Sequence, residues 1–185
     1  LRRAPHGPHR FPPLARSEVL RAPLSWAERP WNRTRPWSMI SCMDALTFLR
    51  EHVCLFVGVE EERLMSLAES SSLQSYNAGQ TVLFKGATVD GLHVVVAGKV
   101  AVLARLPGRG PVSVAELVSG DVFGETSVVE MGTAGATVKA VEDGTSVLMI
   151  PQEAFRGLLV QDESFAVRVN TLIHARKPAA QSAPV

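Results

Sequence analysis

The stretch DVFGETSVVEMGTAGATVKA, residues 121–140, sets Gly124 and Glu125 directly after the apolar Val122 and Phe123. A glycine at such a turn lets the backbone approach a ligand closely. The segment therefore opens like a phosphate-cradling turn. The residues that follow, Thr126, Ser127, Thr133, Ala134, Gly135 and Ala136 among them, carry no positive charge before Lys139. Strand alternation puts Lys139 next to an inward Val138 and Lys99 next to an inward Val100, so both lysines read as solvated. An anion seated here would lack a counter-charge, and Glu125, with no cation near it in the sequence, would add to the repulsion.

Other chemistries find less support. His93 stands alone, whereas a metal site needs several convergent His, Cys or carboxylate ligands. His52 and Cys54 fall in a helical stretch expected to pack outside the sheets, and no Ser/His/Asp or Cys/His set is spaced for nucleophilic attack. The reading is of a non-enzyme without a cofactor. Cys42 and Cys54 are too few for a disulfide framework, which makes a reducing, cytoplasmic setting the expectation. No apolar run reaches the length of a membrane span, since LHVVVAGKVAVLARL is interrupted by Lys99 and Arg105.

The elements that must position Gly124 and Glu125 follow from composition and periodicity. At 185 residues the chain suits one ordinary domain with extra sequence. Residues 1–42 hold eight Arg against two Glu, seven of the twelve prolines and all three tryptophans, while the remainder carries eleven Lys/Arg against sixteen Asp/Glu. The first part reads as a disordered Pro/Arg-rich leader, and the mildly acidic remainder argues against nucleic acid as a partner. From Met43 the period is helical: Leu46, Leu49 and Val53 share a face, and after Gly58 a second helix presents Leu64, Leu67 and Ala68 behind Glu60, Glu61 and Glu62. From Gln74 the period becomes two, with apolar runs cut by glycine turns, which predicts an antiparallel β-barrel or jelly roll. Residues 151–177 return to helices, with Phe165, Val169, Leu172 and Ile173 as an apolar stripe that Lys177-Pro178 should end. The expected organisation is a leader over 1–42, an α+β domain over 43–177 and a disordered tail over 178–185.

The ordered features of residues 44–176 resemble the cyclic nucleotide-binding domain, the module shared by regulatory subunits of cAMP-dependent protein kinase and bacterial catabolite-activator-type regulators. The resemblance rests on the Leu55-Phe56 turn before Gly58, Gly98 followed by alternating apolar residues, Gly120-Asp121, the Phe123-Gly124-Glu125 triplet and the ATVKA strand over 136–140. It implies that the segment from Phe123 is a phosphate-binding cassette for cAMP or cGMP, with Glu125 accepting a hydrogen bond from the ribose 2'-hydroxyl. It also implies ligand contacts from Phe123, Gly124, Glu125, Thr126, Ser127, Thr133, Ala134, Gly135 and Ala136. The family pattern places an Arg-Ala pair nine residues after the Glu, where this chain has Ala134 and Gly135. Losing such a cation from a partly dry site costs about 3–5 kcal/mol, so weak or lost binding is expected. The resemblance further implies a regulatory sensor module that couples through its terminal helices to a protein partner or a second copy. The alternative is a ligand-independent scaffold for interaction or dimerisation. No helix-turn-helix follows the last helix in the sequence as given, so DNA is not an expected partner.

Overall fold

The computed structural model describes residues 42–105 and 110–181. Of the leader expected over 1–42, residues 1–41 lie outside the described residues, as does the end of the tail, 182–185, while Cys42 opens the first helix. Helix α1, Cys42–His52, carries Asp44 in its first turn and Arg50 and His52 in its last, the charge order that the helix dipole favours. A single 3-10 turn, Cys54–Phe56, leads to α2, Glu61–Ser70, which begins on Glu61 and Glu62. As the periodicity requires, Leu46, Leu49, Val53, Leu64, Leu67 and Ala68 are buried.

Eight strands follow: β1 Ser72–Tyr76, β2 Thr81–Leu83, β3 Gly91–Ala97, β4 Lys99–Arg105, β5 Pro111–Val118, β6 Val122–Phe123, β7 Thr137–Ala140 and β8 Thr145–Pro151. They form two antiparallel four-stranded sheets in the orders β1-β8-β3-β6 and β2-β7-β4-β5. The expected α+β jelly roll is present, but no ladder joins one sheet to the other among the described residues, so the barrel stays open. Strand β3 is buried along its whole length because both of its faces are covered. Leu92, Val94 and Val96 belong to the larger core on the helix side, whereas Val95 lies with Val100, Phe123, Val138 and Val147 between the sheets. This two-sided burial explains its near-continuous apolar sequence. Lys99 is exposed and Lys139 half-buried while their neighbours Val100 and Val138 are buried, the alternation expected of them.

Strand β5 is the free edge of its sheet. Its pairing with β4 shifts between Val102, opposite Ala115, and Leu103, opposite Ser113, which leaves Val114 without a partner. Three further helices cover the helix side: α3 Glu125–Val129 between β6 and β7, then α4 Gln152–Gln161 and α5 Glu163–Gln181 after β8. Phe165, Val169 and Ile173 of α5 are fully buried and Leu172 is half-buried, as the stripe predicts. The Phe165 ring stacks on Phe56 at 5.4 Å between centroids and meets Phe155 edge-on at 5.7 Å. In one respect the helix departs from expectation, because it runs through Lys177 and Pro178 to Gln181. A proline this close to the end removes one amide donor without a long helical segment beyond it to disrupt.

Phe165 holds α4, α5 and the 3-10 turn together, so Phe165→Ala should lower stability by about 3–5 kcal/mol. Urea unfolding followed by circular dichroism measures the loss, and a change below about 1 kcal/mol would contradict this packing.

Candidate functional site

The loop between β6 and β7 hangs on Gly124, whose φ of +89° is the left-handed conformation that favours glycine. A Cβ there would stand 3.1 Å from the Gly91 carbonyl oxygen, 3.2 Å from Val89 Cγ1 and 3.3 Å from His93 Nδ1. Conformation and space thus both demand glycine, and the loop is seated directly on the start of β3. Phe123, just before it, pairs with His93 across β6 and β3, and the two rings stack at 4.9 Å with their planes 16° apart.

Glu125 is 3% exposed. Its Oε1 accepts a hydrogen bond from Arg176 Nη1 at 3.0 Å, and the same Nη1 donates to the Val122 carbonyl at 2.7 Å. The expectation that Glu125 lacks a cation is therefore wrong: α5 delivers one from 51 residues further along the chain. Burial of a carboxylate requires such a partner, since the ionised group is otherwise strongly disfavoured away from water. A second arginine grips the other end of the same short helix, with Arg156 of α4 donating through Nε and Nη2 to the Val128 carbonyl at 3.1 and 2.7 Å.

The remainder of the loop is folded back on itself. Gly132 donates its amide to the Ser127 carbonyl at 2.9 Å, and Ser127 Oγ donates to the Thr133 carbonyl at 3.2 Å. Thr133 bridges Thr88 in an isolated antiparallel pair. Next to it the Ala134 amide donates to Ala87 O at 2.9 Å, and Ala134 O accepts from the Gly86 amide at 2.8 Å. Ala134 is 3% exposed and belongs to the larger apolar core, while Gly135 is exposed and Ala136 half-buried. The amides of Gly132 and Ala134 are thus already committed to the protein.

With this geometry the chain can be set beside known proteins. Residues 73–162 match the model of the cyclic nucleotide-binding domain family. The chain carries a cyclic nucleotide-binding domain. It is 27% identical over 118 residues to the Drosophila melanogaster cGMP-dependent protein kinase, isozyme 1, a match covering 63% of this chain and 15% of the kinase. Among solved structures, the Thermus thermophilus catabolite activator protein superposes with a TM-score of 0.60 at 27% identity, over 69% of this chain and 59% of that one. The regulatory subunit of a cAMP-independent protein kinase A from Trypanosoma cruzi, bound to guanosine, does so with a TM-score of 0.64 at 20% identity, over 76% and 47%. The chain spans less than two thirds of each of these relatives.

Within this cyclic nucleotide-binding domain, Phe123, Gly124, Glu125, Thr126 and Ser127 form the first limb of the loop, and Thr133, Ala134, Gly135 and Ala136 the returning limb. The structure brings the two limbs together through Ser127. It turns the Glu125 carboxylate onto Arg176, a residue the sequence reading passed over. One signal was available: Arg176 follows Val169 and Ile173 at helical spacing, so it continues the buried stripe of α5 as a cation. A shallow groove of about 290 Å³ lies elsewhere, between α2 and α4, lined by Glu62, Arg63, Leu67 and Gly157 among others, and shares no residue with the loop. Among the described residues no three His, Cys, Asp or Glu converge as metal ligands, and no helix is long and apolar enough to cross a membrane.

Removing Arg176 strands the buried carboxylate. Because the arginine side chain is itself 34% exposed, Arg176→Ala should cost about 1–3 kcal/mol rather than the full value of a buried pair. Arg176→Ala combined with Glu125→Gln should recover part of that loss, and strictly additive losses in a double-mutant cycle would contradict the coupling. Burial holds the His93 imidazole's pKa below its usual value, with the Gly91 carbonyl and Asp90 opposing in part. The unfolded chain then binds the proton more readily, so the ligand-free domain should lose stability as pH falls from about 6.5 through the folded-state value. His93→Phe should flatten this slope in urea titrations at several pH values.

Proposed function

We propose that the chain is a non-catalytic regulatory module that holds cAMP or cGMP weakly at residues 123–136 and signals through α4 and α5. The observation that carries this reading is the state of the two positions that matter most for a cyclic phosphate and its ribose. Ala134 offers a buried methyl where the family resemblance implies an arginine, and Glu125 already accepts its hydrogen bond from Arg176. A ribose hydroxyl would have to share the carboxylate with that guanidinium, which engages Oε1. Coupling to the helices is supported by the same contacts, since Arg176 of α5 binds the Glu125 carboxylate at the start of the loop's short helix and Arg156 of α4 binds the Val128 carbonyl at its end. Displacing either arginine changes the packing of a terminal helix, which is the differential contact that a ligand-driven shift in population needs. The partner would be another protein or a second copy meeting those helices, in a cytoplasmic setting.

A scaffold that works without ligand is the second reading. It is favoured by the exposed Val160 and Val167 on the outer side of α4 and α5, an apolar surface suited to a contact between chains. Concentration-dependent association in sedimentation, unaltered by cyclic nucleotide, would select it.

Calorimetric titration with cAMP and with cGMP near neutral pH should give dissociation constants weaker than about 100 µM. Ala134→Arg should tighten cAMP binding at least about tenfold, with circular dichroism verifying that the variant is folded. Tight binding by the unaltered protein, or no gain in a folded Ala134→Arg variant, would overturn the reading.

A further inference from the structure

Neither arginine that touches the cassette is free to face an anion, and Lys85, whose amide donates to Thr137 Oγ1 beside the returning limb, is exposed to solvent. Arg176 is bound to Glu125 and Val122, Arg156 to Val128, and Lys99 and Lys139 stand on the outer side of their sheet. His93 is different. It shares strand parity with Val95, which lies in the cluster between the sheets, and its ring stacks on Phe123, the residue that opens the loop. The side chain is 9% exposed and its Nδ1 is buried without a hydrogen-bond partner. That nitrogen sits 3.3 Å, and the Gly91 carbonyl oxygen 3.1 Å, from where a Cβ on Gly124 would stand, and the carbonyl favours a proton on the ring. An unpaired, buried ring nitrogen is costly unless it serves another purpose.

We propose that His93 is the titratable counter-charge of this site, so that the domain binds a phosphate-bearing ligand at Gly124 and Glu125 only together with a proton. The inference rests on the proposed cassette and adds the condition under which it fills. On protonation, Nδ1–H can donate to the Gly91 carbonyl, and the imidazolium places a positive charge beneath the loop. Asp90, on the approach to β3, favours that charge. From the other elements packed around the ring, Glu125 is engaged by Arg176 of α5, and the strand partners Phe123 of β6 and Met149 of β8 do not titrate. Burial keeps the imidazole neutral near pH 7, and a bound anion raises its proton affinity. By linkage, affinity for the anion rises as pH falls.

The test is calorimetry of the full chain with cAMP at about pH 7.5 and about pH 5.5, in two buffers of different ionisation enthalpy, with circular dichroism confirming the fold at both. Binding should be at least about fivefold tighter at the lower pH with uptake of a proton. His93→Phe, which keeps an aromatic ring on Phe123, should abolish the difference. In proton NMR, millimolar cAMP should raise the titration midpoint of the His93 ring and adenosine, which lacks the phosphate, should not. Equal or weaker affinity at the lower pH, absence of binding there, or an unchanged slope in His93→Phe overturns the role of His93. Strong binding at the higher pH overturns the weak-site reading instead, and leaves the slope to be judged by itself.

Discussion

Glu125 is a carboxylate sealed inside the protein against a guanidinium from the far end of the chain, and the positions of α3, β6 and α5 follow from keeping those two groups together. A buried charge tolerates no vacancy at its partner. The loop at Gly124 and the last helix are therefore one energetic unit, although 51 residues separate the paired side chains in sequence. Arg156 adds a second tie from α4 to the carbonyl end of α3. Glu125 is thus tied to α5 directly, without a chain of intermediate side chains.

Much of this arrangement was legible because it depends on local pattern. The stripe Phe165, Val169, Ile173, the alternation around Val100 and Val138, and the glycine turns between strands are period signals, and the structure follows them. Gly124 was readable for a stronger reason, since its left-handed backbone and the atoms under it leave glycine no substitute. What was not legible depends on contacts across the fold. Pairing of Glu125 with Arg176 requires knowing that α5 crosses β6, which no local period encodes. The openness of the two sheets likewise depends on how two edges fail to meet. His93 looked isolated in sequence because Phe123 and Gly124 are its neighbours only in space.

The returning limb of the loop shows how a small side chain can be held firmly. Ala134 uses its amide and its carbonyl on the turn at Gly86 and Ala87 and its methyl in the core. Its backbone path is fixed whatever the side chain does. A change of side chain at this position can therefore alter the charge of the loop while its backbone bonds keep its path.

Strand β5 closes its sheet with an unpaired edge that carries the exposed Val112, Val114 and Val118. A regular strand of that composition would invite another chain to add to the sheet. Here Pro111 removes a donor at the start of the strand, and the extra residue at Val114 breaks the two-residue repeat that a partner strand would have to match. The irregularity works as a guard against edge-to-edge aggregation, leaving a valine-rich margin that is poor at templating its own kind.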